Sequence, residues 1–152
     1  MSVQHQSIEA LNSLIEINND RIEGYNTASK ETEDAELKTL FSQLSGTSMK
    51  CNQALIKQVA VLGGTPIEGT KTSGKIYRIW MDFKAMLTGK DRTSILNSCE
   101  YGETVAIEHY ESVLKDNSAN LTSEQQMMLN GQLDYLKADF TKVKKLNSLL
   151  KV

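Results

Sequence analysis

Chain breakers are scarce in this sequence: one proline, Pro66, and nine glycines in 152 residues. So few breakers favour long helices over many short strands joined by turns. Aromatic residues make up only 6%, which also argues against a β-sandwich. Cys51 and Cys99 are isolated in sequence, which fits reduced thiols and a cytoplasmic location. No apolar run is long enough to cross a membrane, and Met1 to Gln6 show no basic stretch leading into an apolar one. The net charge of −2 gives no bulk attraction to nucleic acid, and no basic, aromatic-interleaved surface is visible. No glycine-rich phosphate loop is present, because Leu62-Gly63-Gly64 ends a helical pattern instead of following a strand. No Ser/His/Asp spacing suggests a nucleophile. No catalytic residue is therefore nominated, and enzymatic activity is not expected.

What remains is an ordinary globular composition, 39% hydrophobic and 24% charged. Its length suits a single domain over residues 1–152. Acidic side chains dominate residues 1–36 and basic ones residues 70–92; solvated helix faces are the simplest account of both.

Apolar residues at spacings of three and four predict five helices. The first spans about Ser7 to Ser29, with Ile8, Leu11, Ile15, Ile22 and Tyr25 on its stripe and Asn18 among them. Thr32-Glu33-Asp34 marks a break and a new helix start. The second runs from about Ala35 to Leu62 on Leu37, Leu40, Leu44, Cys51, Leu55, Val59 and Leu62, with Ser48 on the same face; Gly63 caps it. After a polar stretch, Thr65 to Gly74, a short helix from Lys75 to Leu87 places Ile76, Ile79, Trp80, Phe83 and Leu87 on one side, and Thr88 to Asp91 close it. The fourth runs from about Thr93 to Lys115 with Leu96, Glu103, Ile107, Tyr110 and Leu114 on its stripe. Thr122 with Gln125 resembles a capping box. The last helix continues to Leu150 on Leu129, Leu133, Leu136, Phe140, Val143 and Leu150.

A repeat with an offset of 85 residues underlies this pattern. Leu11-Asn12-Ser13 matches Leu96-Asn97-Ser98, and Ile22-Glu23 matches Ile107-Glu108. Tyr25 matches Tyr110, and Leu44-Ser45-Gly46 matches Leu129-Asn130-Gly131. Two similar helical hairpins joined by a long crossover, about residues 63–92, predict an all-α four-helix bundle with a short fifth helix, which is the ferritin-like connectivity.

Such bundles hold two iron ions with one Glu from each of two helices and a Glu-x-x-His pair from each of the other two. The i, i+3 spacing puts both members of a pair on one helix face. This chain has only His5 and His109, preceded three residues earlier by Ser2 and Ala106, so no Glu-x-x-His exists.

Asn18 to Tyr25 resembles the first helix of rubrerythrin-like ferritins, in which a ligand Glu precedes a Tyr by seven residues. Glu103 and Tyr110 show the same spacing. More closely, Leu14 to Tyr25, Leu62-Gly63-Gly64, Trp80 to Lys84, Glu100 to Glu103 and Ile107 to Tyr110 resemble an uncharacterised family of bacterial ferritin-like four-helix-bundle proteins. The resemblance covers nearly the whole chain and implies the fold, but no activity. On its ligand plan, Glu103 is the one metal-ligand candidate that survives. Asn18 stands at its counterpart, Ser48 and Cys51 stand at one Glu-x-x-His pair, and Leu133 and Leu136 stand at the other.

The expectation is thus a degenerate di-iron site in a non-catalytic bundle with a structural or interaction role and no cofactor. Glu103 and Asn18 should face each other inside the bundle, in a buried polar cluster with Ser48 and Tyr25. Two alternatives stand beside it. One is divergent iron or manganese binding through Glu23, Glu103 and Glu108. The other is a membrane or partner adaptor using the amphipathic Trp80 helix. A protein partner or self-association into a homo-oligomer is compatible with the sequence; nucleic acid is not expected, and a membrane role is disfavoured.

Overall fold

The structure, a computed structural model, describes residues 2–70, 74–89 and 91–149. Its helices are α1 (Val3–Glu31), α2 (Ala35–Val61), α3 (Gly74–Gly89), α4 (Arg92–Asp116) and α5 (Ser123–Leu149). Lys71 to Ser73, Lys90 and Leu150 lie outside the described residues.

Local chemistry sets the helix ends. Ser2 accepts from the His5 amide at 3.1 Å, satisfying one of the donors a helix start leaves open. Asp34 accepts from the Glu36 and Leu37 amides, and Asp91 from that of Thr93. Thr122 and Gln125 form the expected reciprocal box, at 3.0 Å in both directions. Gly63, at φ 84°, ends α2 with its amide on Ala60 O and the Gly64 amide on Val59 O, a Schellman pair that a side chain at Gly63 would strain.

Helices α1 and α2 form one antiparallel hairpin and α4 and α5 the other. Across the bundle, the inward line of α1 is Leu11, Leu14, Asn18, Arg21, Tyr25 and Ala28; that of α4 is Leu96, Cys99, Glu103, Ala106, Tyr110 and Val113. Each pair differs by the 85-residue offset, so the repeat describes the packing register of these two helices. Ile8, Ile22, Ile107 and Leu114, expected on the stripes, are only half-buried. Leu14, Arg21 and Cys99 hold the inward positions instead.

The repeat carries α5 only part way. Gln125, Leu129, Leu133 and Leu136 sit inward as Leu40, Leu44, Ser48 and Cys51 do in α2. Beyond Leu136 the inward line of α5 continues through Asp139, Val143 and Asn147; Val143 is on the expected stripe, and Asp139 stands one residue before the expected Phe140. Phe140, expected in the core, is half-buried and Asp139 is buried in its place.

The crossover runs along α1. Asn12 clamps it by donating to Thr65 O at 3.1 Å and accepting from the Ile67 amide at 2.9 Å. Asn19, two turns on, donates to Gly69 O at 2.8 Å. Helix α3 then lies across α1 and α4. It approaches α1 closely because residue 24 is glycine: a Cβ there would overlap the Trp80 ring. Ile79, Phe83 and Leu87 are buried beneath it. Trp80 and Phe83 meet Tyr25 edge-on, with centroids 5.1 and 5.7 Å away, and Phe41 stacks on Tyr25 from α2.

The apolar core forms two clusters. One contains Leu11, Leu14, Leu55, Tyr110, Leu133 and Leu136; the other contains Tyr25, Phe41, Phe83, Leu96, Cys99 and Val143. A polar layer lies at mid-bundle with them.

Candidate functional site

The centre of that layer is Arg21. It projects from α1 and reaches a side chain on each of the other three bundle helices. Its Nε donates to Glu103 Oε2 at 2.9 Å, and Nη2 donates to Glu103 Oε1 at 2.6 Å. This two-point grip uses the planar fork of the guanidinium against the planar carboxylate. Nη2 also donates to Asp139 Oδ2 on α5 at 3.2 Å, and Nη1 donates to Ser48 Oγ on α2. The Tyr25 hydroxyl donates to Glu103 Oε2 at 3.0 Å, and its ring lies 5.6 Å from the guanidinium carbon.

Burial makes this arrangement obligatory. Arg21 is 0% exposed, Glu103 1% and Asp139 3%. An ion withdrawn from water without a partner costs several kcal/mol, so the three charges stand or fall together. Burial opposes the charge on Arg21, yet Glu103 and then Asp139 outweigh it and hold the guanidinium pKa above its ordinary value. Burial and the neighbouring Glu103 charge push Tyr25 well up, so its hydroxyl remains a donor.

A second, neutral network lies where the pseudo-twofold carries the first. Asn18 Nδ2 donates to Leu14 O at 2.9 Å and to the Tyr110 hydroxyl at 2.8 Å. Tyr110 donates to Gln132 Oε1 at 2.7 Å, and Gln132 Nε2 donates to Cys51 O at 3.2 Å. Tyr25 with Glu103 and Tyr110 with Asn18 are thus equivalent contacts, and both tyrosines make hydrogen bonds rather than acting as plain core residues.

Glu103, Asn18, Ser48 and Cys51 are all buried at mid-bundle. Glu103 and Asn18 do not bond each other, however. Glu103 bonds Arg21 and Tyr25, while Asn18 bonds Tyr110. Leu133 and Leu136 are buried in the first apolar cluster. Burial pushes the Cys51 thiol up to about 11, and burial followed by the Glu103 charge raises Cys99 as well. Neither thiol has the lowered pKa of a reactive cysteine.

The remaining candidates lie apart from this layer. Glu23 is exposed and pairs with Lys84 at 3.2 Å, and Glu108 is exposed. They do not converge with Glu103. His5 meets Glu9 at 3.1 Å near the start of α1, and His109 meets Ser13 at 3.1 Å. Among the described residues, no group of three or more His, Cys, Asp or Glu side chains could hold a metal ion. No described helix is long and apolar enough to cross a membrane.

Arg21 and Asp139 escaped the sequence reading for different reasons. Arg21 lies three residues after Asn18 and four before Tyr25, so the 3-4 spacing already placed it inward; its charge concealed it. Asp139 takes the inward place next to the expected Phe140, which nothing in the repeat signals.

Both solved structures most informative for comparison are helical bundles. The Desulfovibrio desulfuricans bacterioferritin, whose diiron site has been seen in different catalytic states, superposes with a TM-score of 0.81 over 99% of this chain and 85% of its own, at 18% identity. A ferritin-like, diiron-carboxylate protein from Bacillus anthracis strain Ames gives a TM-score of 0.68 over 99% of both chains, at 20% identity. At these identities the likeness establishes the ferritin-like fold. No curated protein matches the sequence. A family model described as a domain of unknown function (DUF2383) matches residues 6–116, most of the chain, and the protein belongs to that family.

Proposed function

We propose that this chain is a non-catalytic ferritin-like bundle with a structural or interaction role, in which the guanidinium of Arg21 takes the position of the metal ions. The observation that carries this reading is the reach of Arg21 to Glu103, Ser48 and Asp139, one residue from each of the other three helices. A di-iron pair needs ligands from the same four helices.

The donor set does not fit two iron ions. The standard plan uses four carboxylates and two imidazoles, enough anionic charge to balance two hard cations. Here Glu103 and Asp139 both bond to Arg21, Ser48 and Cys51 are poor substitutes for Glu and His, and both histidines lie elsewhere. A single monovalent guanidinium needs fewer counter-charges than two iron ions, and two carboxylates suffice. No metal-dependent step is assigned to this site. The apolar face of α3 is used against the bundle, with Ile79, Phe83 and Leu87 buried, which supports a packing role for the Trp80 helix.

One observation favours the metal-binding alternative: the layer holds two buried carboxylates, Glu103 and Asp139. Iron or manganese would have to displace Arg21 from both. Elemental analysis of protein expressed in iron- and manganese-rich medium separates the readings. We expect no stoichiometric metal. Stoichiometric iron or manganese that disappears in Glu103→Ala would overturn the proposal.

A further inference from the structure

Helix α3 lies outside the four-helix bundle, and it is seated on the half that carries the charges. Two glycines make its seat on α1 and α4, each one residue before a member of the charged layer: Gly24 before Tyr25, and Gly102 before Glu103. A Cβ at Gly24 would lie 2.3 Å from the Trp80 ring, and one at Gly102 would lie 3.7 Å from Ile79, in ordinary contact. The 85-residue offset places His109 and Ile17 at the equivalent positions, so the repeat provides no second seat in the neutral half.

Tyr25 stands between α3 and the charges. Its ring takes Trp80 and Phe83 edge-on at 5.1 and 5.7 Å, and its hydroxyl donates to Glu103 Oε2 at 3.0 Å. Trp80 and Phe83 also meet each other edge-on at 5.7 Å. Edge-to-face pairs are directional, so a Tyr25 ring that turned away from Glu103 would give up both. The counterpart Tyr110 also hydrogen-bonds through its hydroxyl, but among the described residues no aromatic ring packs on it. A void of about 10 Å³, room for about one water molecule, lies beneath α3 and is lined by Arg21 together with Ile76, Ile79 and Trp80. Helix α3 therefore covers the layer on this side.

We infer that α3 and the charged layer are the two ends of one conformational switch, joined by Tyr25. With α3 docked, Trp80 and Phe83 hold Tyr25 where it donates to Glu103. With α3 lifted, the ring loses that support, Glu103 loses a donor, and water reaches Arg21 through the void. Coupling between two ends of an equilibrium is reciprocal. Whatever weakens the bond from Tyr25 to Glu103 loosens α3, and whatever lifts α3 weakens the layer. This gives α3 more than a packing role, and it holds whether or not the layer replaces a metal centre.

Tyr25→Phe in the full chain tests this, because it removes the hydroxyl and keeps the ring on which Trp80 and Phe83 pack. Amide exchange across α3 reads its opening, and acrylamide quenching of Trp80, the sole tryptophan, reads its docking. Exchange should quicken by about fivefold or more, the scale of one hydrogen bond, and quenching should rise. Tyr110→Phe removes the equivalent hydroxyl in the other half and should leave both readings at wild-type values. In the reverse direction, the fall in urea midpoint caused by Tyr25→Phe should shrink in a Trp80→Ala background; Trp80→Phe is the milder background if Trp80→Ala does not fold. An α3 indifferent to Tyr25→Phe, one that responds equally to Tyr110→Phe, or effects at residues 25 and 80 that simply add would overturn the inference.

Discussion

Replacing Arg21 with methionine keeps most of the hydrocarbon stem and removes the cation. Glu103 then loses a two-point grip at 2.6 and 2.9 Å, Asp139 loses its 3.2 Å contact, and Ser48 loses its donor. Removing one partner from a buried ion pair typically costs about 3–5 kcal/mol, because the remaining charge is left uncompensated. That is a large share of the roughly 5–15 kcal/mol that holds a typical domain folded. For a chain of this size it corresponds to a fall in Tm of about 10 °C. One further expectation distinguishes a stranded charge from simple loss of packing. Removing all three charges in Arg21→Met/Glu103→Leu/Asp139→Leu should recover most of the lost stability. Urea unfolding followed by circular dichroism at neutral pH measures both variants. A neutral-pH cost below about 1 kcal/mol, or a triple variant no more stable than the single one, would refute the charged-layer account.

Three further expectations test other parts of the structure. Gly24→Ala places a methyl group against the Trp80 ring and must lift α3 from α1, at a cost of about 1–3 kcal/mol. Trp80 is the sole tryptophan, so its fluorescence should shift to the red while helix content is largely kept; unchanged emission would contradict the docking. Burial raises the Cys51 thiol from its ordinary 9.0 to about 11, so its contribution to stability is complete below the unfolded pKa and is lost as pH rises through the folded one. Tyr25 and Tyr110 are raised by burial too. The urea midpoint should therefore drop across that alkaline window and drop less in Cys51→Ala; a flat wild-type profile would count against a buried thiol. Asn12→Ala removes both anchors of the crossover at Thr65 and Ile67. Faster amide exchange around residues 65–69 is expected, for about 1 kcal/mol or less per bond, and unaltered exchange would show that the clamp is dispensable.

Much of this architecture was readable because it rests on periodic burial. The 85-residue repeat described the shared register of α1 and α4, and the caps at Asp34, Gly63 and Thr122 follow from side-chain chemistry at fixed positions. The buried layer was only half legible. Asn18 and Glu103 were recognised by their counterparts across the repeat, but Arg21 has Ala106 as its counterpart and Asp139 has Ala54. A residue that breaks the symmetry cannot be found by symmetry. Nor does apolar periodicity mark a charged residue as inward-facing when its counter-charges come from helices distant in sequence.

On the proposed reading, that asymmetry follows from the number of cations. Two metal ions related by a pseudo-twofold would call for equivalent ligands in both halves. One guanidinium can lie in only one half, so its carboxylates gather there: Glu103 and Asp139 around Arg21, with Tyr25 completing the set. A second arginine at residue 106 would bury another charge and require further carboxylates, at several kcal/mol for each ion left imperfectly paired. The opposite half avoids this cost by remaining uncharged. Asn18, Tyr110 and Gln132 pass hydrogen bonds from one neutral group to the next and end on the Cys51 carbonyl. On the proposed reading a neutral Asn18 goes with a single cation, since an acid at residue 18 would be one more buried charge to compensate.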